Sequence, residues 1–82
     1  MNNKILVEVN VPVLEHKYNC FIPVGKTVSQ VSELLVKGIF ELSGGAYDNK
    51  FPVLYDSLGK EIKSDCLVKD SGISNGSKII II

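Results

Sequence analysis

Three kinds of side chain here could do chemistry, and their spacing limits what they could do. His16 is the only histidine of the 82 residues. A zinc site needs three or four ligands, and neither a second histidine nor a C-x-x-C accompanies it. His16 is therefore read as a surface residue of a hairpin. Cys20 and Cys66 are the two cysteines. Either would need His16 beside it, and an exposed thiol, to act as a nucleophile. Cys20 falls on the parity expected to face the core, so both cysteines are read as small buried hydrophobes in a reducing compartment. The count allows a disulfide, but nothing in the spacing demands one. Asp48, Asp56, Asp65 and Asp70 lie in loops or at their edges without EF-hand spacing. Asp65 and Asp70 are expected to make turn hydrogen bonds. "SGG" and "SNG" are too short to cradle a phosphate and read as turns. The residues therefore predict no catalytic site, no metal and no cofactor.

Composition narrows the partners. The nine basic residues balance nine acidic ones, and all nine are lysines. Arginine reads phosphate and guanine edges through its planar fork, so its absence, with no lysine cluster, argues against nucleic acid. The longest apolar runs are only a few residues, far short of the roughly 20 that a membrane span needs. "MNNKILVEVNV" has neither the apolar core nor the cleavage site of a signal peptide. The expected location is the cytoplasm, and membrane insertion is not expected. The length suits one domain spanning residues 1–82.

The elements that position these residues follow from periodicity. "KILVEVNV", 4–11, alternates: Ile5, Val7, Val9 and Val11 share one face, and Leu6, Glu8 and Asn10 the other. Pro12 limits that strand and "VLEH" turns. Residues 16–22, "HKYNCFI", form a second strand with Tyr18, Cys20 and Ile22 on one face. The short connection favours an antiparallel hairpin. Thr27 and Gln30 have the spacing of a capping box, opening a helix. Val28, Val31, Leu35 and Leu42 recur at helical spacing, with Leu34 and Ile39 beside them, while Ser29, Glu33 and Lys37 lie outward. "SGG" at 43–45 stops the helix.

Beyond the helix, "AYDNK" at 46–50 reads as a connector. "FPVLY", 51–55, is a short strand, and Pro52 marks an edge or a start. "EI" at 61–62 is a brief return strand. "SDCLVKDSGISNG" is loop with an apolar dent at Leu67, Val68 and Ile73. "SKIIII" closes the chain as a strand. A ferredoxin-like plan would need a second helix. The order instead predicts an α+β fold: a β-grasp of the ββαββ type, its mixed sheet curled round one helix. The first and last strands should lie side by side in the middle.

These residues resemble the ubiquitin-like β-grasp proteins over nearly the whole chain. The hairpin, "VGKTVSQVSELL", "VLYDSLGKEI" and "LVKDSGISNGSKIIII" fall in the family's order. The stretch from Cys66 to Gly76, C-x-x-x-D-x-G-I-x-N-G, is similar to the small bacterial YukD/EsaB-type proteins. That group is associated with type VII secretion loci. The resemblance implies a scaffold that binds proteins and an accessory or regulatory role in such secretion. It does not carry over the modifier chemistry. Ubiquitin and the sulfur carriers end in a mobile Gly-Gly tail, whereas Ile82 falls inside a strand and Gly44-Gly45 sits mid-chain. A modifier or sulfur carrier is thus the disfavoured alternative. An adaptor domain of a larger protein is another, against which the initiator methionine and the terminal strand suggest a complete chain.

Alternation turns Ile79 and Ile81 toward the helix and Ile80 and Ile82 toward the open face of the sheet. Leu6 from the first strand and Leu54 from the third are expected on that same face, where ubiquitin carries its main protein-binding patch. Adjacent apolar residues on a flat sheet mark an interface more often than scattered ones do. Leu6, Leu54, Ile80 and Ile82 are therefore the expected protein-binding residues, and a weak homodimer would use the same surface.

Overall fold

The computed structural model describes residues 3–82; Met1, read above as a chain start, lies outside them. Four strands form a mixed sheet: β1 (Lys4–Val11), β2 (His16–Pro23), β3 (Leu54–Asp56) and β4 (Lys78–Ile81), in the order β2-β1-β4-β3. One helix, α1 (Val28–Leu42), covers one face. β1 and β2 pair antiparallel along their full length, from Lys4 opposite Pro23 to Val11 opposite His16. β4 lies parallel to β1 and antiparallel to β3. The first and last strands are thus the central pair, and the fold is the expected α+β β-grasp.

Local chemistry explains the elements. Val7, Val9 and Val11 are completely buried, so the alternation of β1 is the core pattern itself. A 3-10 turn at Pro12–Leu14 carries the chain over, with Glu15 in the left-handed region at φ 51°. The capping box forms in full. Gln30 donates its backbone N–H to Thr27 Oγ1 at 3.1 Å, and Thr27 donates its own to Gln30 Oε1 at 3.0 Å. Val28, Val31, Leu35 and Ile39 enter the core. Ser32 is also buried there, its hydroxyl satisfied by the Ser29 carbonyl at 2.8 Å. Gly44 and Gly45 take positive φ of 64° and 87° and end the helix.

Three expectations about the core are corrected. Leu42, placed among the core positions of the helix, is 68% exposed. The last turn carries it to the rim, onto the surface between α1 and β2. Tyr47, read as part of a connector, is a core residue at 4% exposure. Its backbone N–H donates to Ser43 Oγ at 3.1 Å, and its hydroxyl accepts from Asn49 Nδ2 at 2.9 Å. The third strand begins at Leu54, three residues later than expected, and that shift changes the site.

The closing strand is tied down as expected. Ile79 and Ile81 are 1% and 0% exposed. Ile82 and Val53 exchange both backbone hydrogen bonds at 3.0 Å, so the pairing runs on past the ends of β3 and β4. "EI" at 61–62 returns as a single bridge, Tyr55 with Glu61. Val68 and Ile73 bury into the core from the long loop. Asn75 joins that loop to β1, its Oδ1 accepting from the Leu6 N–H at 2.8 Å.

Candidate functional site: the open face of the sheet

The register builds the face away from α1 row by row. Leu6 stands opposite Phe21 on β2. The next row on this face is Asn19, Glu8 and Lys78. Then come Lys17, Asn10, Ile80 and Tyr55. Val53 and Ile82, joined by their paired hydrogen bonds, form the last row.

Leu54 does not belong to this face. It pairs with Ile81, shares that residue's parity and is 2% exposed. Tyr55, opposite Ile80, takes the outward position instead. The expectation failed because "FPVLY" yields only two strand residues, Leu54 and Tyr55, and the third, Asp56, lies beyond the stretch read as strand. So short a segment carries no alternation of its own. Its parity is set by the partner strand, and Pro52 removes a further cue.

Leu6 is exposed, as expected, but it is not beside the isoleucines. It lies two rows away, about 13 Å along the strand direction at ~3.3 Å per residue. The polar row of Asn19, Glu8 and Lys78 intervenes. The face therefore has two apolar areas. One is the Leu6–Phe21 pair, with Phe21 66% exposed. The other is a block across two adjacent strands: Tyr55 on β3 with Val53 just before it, and Ile80 on β4 with Ile82 just past its end. Val53, Tyr55 and Ile80 are half-buried, and Ile82 is 62% exposed. Val53 and Tyr55 escaped the sequence reading; only the β3–β4 register identifies them.

The groups considered for chemistry are placed apart. His16 is exposed and packs its ring against Tyr18, centroids 4.5 Å apart. Both thiols are free and half-buried rather than fully buried. Burial pushes the Cys20 thiol above its usual pKa, which holds it in the unreactive protonated form. Cys66 donates from Sγ to the Lys63 carbonyl at 3.2 Å. Asp70 makes its turn hydrogen bond through its amide, to the Leu67 carbonyl at 2.9 Å, and the carboxylate that holds a turn is that of Asp56, whose Oδ1 accepts from the Leu58 and Lys60 amides, each at 2.9 Å. Among the described residues, no three His, Cys, Asp or Glu side chains gather as a metal site. A hollow of ≈ 900 Å³ is open and lined by side chains of both signs, including Asp56, Lys60, Lys63 and Asp70.

No family model matches this sequence, and no curated protein matches it. Solved structures do. The ubiquitin-like domain of EccD5 from Mycobacterium xenopi superposes with a TM-score of 0.81 at 10% identity, covering 99% of this chain and 94% of that one. The ubiquitin-like domain of the Mycobacterium tuberculosis type VII secretion system protein EccD1 gives 0.75 at 14% identity, covering 100% and 99%. A chain of the MycP5-free ESX-5 inner membrane complex gives 0.80 at 14%, covering 99% of this chain. The present chain spans only 21% of that last one. At such identities these likenesses show the fold: it is the ubiquitin-like β-grasp, resembling that of type VII secretion proteins. Among the described residues, no helix is long and apolar enough to cross a membrane.

Proposed function

We propose that this chain is a non-enzymatic protein-binding module that docks through the block of Val53, Tyr55, Ile80 and Ile82. One observation carries the reading. Four apolar side chains adjoin across β3 and β4 on the sheet face that the helix leaves uncovered. Contiguous apolar surface on a flat, rigid sheet is costly to leave in water and suits a complementary partner surface. Lys78 and Asn10 border the block within the ladder, giving it a polar rim. Leu6 and Phe21 extend the contact only for a partner wide enough to cross the polar row.

The structural likeness to ubiquitin-like domains of secretion proteins, together with the 66–76 motif, supports a cytoplasmic accessory role beside a type VII secretion membrane complex. The partner would then be a soluble domain of that complex. The test is co-purification with the soluble domains of type VII secretion components from the same cell, using the parent chain and Ile80→Lys. Binding by the parent and its loss in a variant that still folds would support the reading. Equal capture by both would remove this face from the account.

A further inference from the structure

Gly38 is the residue the fold does not explain. It sits inside α1, where glycine is costly relative to alanine. A Cβ there would meet nothing within 4 Å, so no contact within the chain requires its absence. Leu34, Gly38 and Leu42 stand four residues apart, along one ridge of the helix. Leu34 and Leu42 are 48% and 68% exposed. The ridge therefore carries a notch, at Gly38, one turn away from a projecting knob, Leu42. Lys37 and Glu41, both exposed, run beside it on the outward flank and are also one turn apart.

A ridge with a knob and a notch one turn apart is its own complement. A two-fold axis at the level of Phe40, midway between Gly38 and Leu42, sets a second copy antiparallel. Each Leu42 then lies over the other copy's Gly38, and the contact is isologous. The charges beside the ridge fall into place under the same axis. At ~1.5 Å of rise per residue, Lys37 of one copy is about 3 Å in axial level from Glu41 of the other. Both glutamates adjoin at the axis with a lysine beyond each, so the flank reads Lys, Glu, Glu, Lys, alternating between copies. The chain's formal net charge of zero leaves no long-range repulsion between them.

We propose that α1 is a self-association surface, through which two copies of this chain pack antiparallel along the Leu34–Gly38–Leu42 ridge. An unrelated helix would have to match the spacing of knob, notch and charges, whereas a second copy supplies all three. Glycine at the crossing lets the two backbones approach closely, which accounts for a residue that weakens the helix in isolation. The contact joins side chains of two helices and uses no sheet edge. The dimer also leaves Val53, Tyr55, Ile80 and Ile82 free on the far face of each sheet, so its existence does not depend on what those residues bind.

The test is sedimentation equilibrium of the full chain from micromolar to millimolar concentration. The expected result is a mass that doubles as concentration rises. Gly38→Ala should raise the melting midpoint of the dilute monomer yet weaken the dimer about tenfold, because the methyl fills the notch. Leu42→Lys should stay monomeric. Lys37→Glu and Glu41→Lys, both at exposed positions, decide the matter if Leu42→Lys fails to fold. Each alone gathers like charges at the axis and should weaken association, while an equimolar mixture of the two should restore it. The proposal is overturned if the parent remains a monomer at millimolar concentration, if Gly38→Ala and Leu42→Lys dimerise as tightly as the parent, or if the mixture restores nothing. It is equally overturned if Ile80→Lys alone abolishes the dimer, which would move the contact to the open face of the sheet.

Discussion

Ile80 and Ile81 are adjacent and chemically identical, yet the fold gives them opposite duties. Ile81 is 0% exposed, pairs across from Leu54, and faces the core cluster that α1 covers. Truncating it to alanine removes a side chain that cannot be replaced by water, and the cost combines lost transfer energy with the cavity left behind. That is about 2–5 kcal/mol. A domain of this length has roughly 4–12 kcal/mol in total, from about 0.05–0.15 kcal/mol per residue. A mid-range loss of ~3 kcal/mol lowers the melting midpoint by about 12–24 °C in so small a domain. Ile80 is half-buried on the open face, and Ile80→Ala should cost under ~1 kcal/mol. Thermal and urea unfolding by circular dichroism measure both. Similar losses from the two variants would refute the register on which the account rests, because one strand cannot bury both parities against a single helix.

Three further outcomes follow from the same geometry. Leu54→Lys should prevent folding, since it places an unpaired charge in the core beside Ile81; a cooperative transition near the parent midpoint would return Leu54 to the open face. Gly38→Ala should stabilise by about 0.5–1 kcal/mol, because the helix gains propensity and the new methyl meets nothing; a loss of stability would show a contact the fold does not contain. Cys20 should alkylate more slowly in the native protein than in urea, with the rate rising only at more alkaline pH. Its pKa is raised in the folded state, so its contribution to stability is full below the unfolded thiol's pKa and is lost as pH climbs through the folded value. Equal native and unfolded alkylation profiles would show that burial does not protect the thiol.

Much of the fold was legible because long elements carry their own pattern. β1 repeats its core parity over eight residues, and the capping box names the helix start from Thr27 and Gln30 alone. The four terminal isoleucines could be divided into inward and outward pairs once a closing strand was assumed. The failures share a physical cause. Leu54 lies in a strand of three residues, whose parity comes from β4 through space. Tyr47 reaches the core through a loop anchored by Ser43 and Asn49, and loops have no period to read. Leu42 keeps the angular position of a core residue but lies in the last turn, where the sheet no longer covers it. The candidate site was half legible for the same reason. Ile80 and Ile82 came from alternation, whereas Val53 and Tyr55 required the pairing.

The most direct measurement of the central claim is a titration of the ¹⁵N-labelled protein with the soluble domain of a secretion component that co-purifies with it. Shifts should concentrate on Val53, Tyr55, Ile80 and Ile82 and be lost in Ile80→Lys, whose spectrum otherwise remains that of the folded parent. A complex that leaves those four residues unmoved, or that forms equally well with Ile80→Lys, would contradict it.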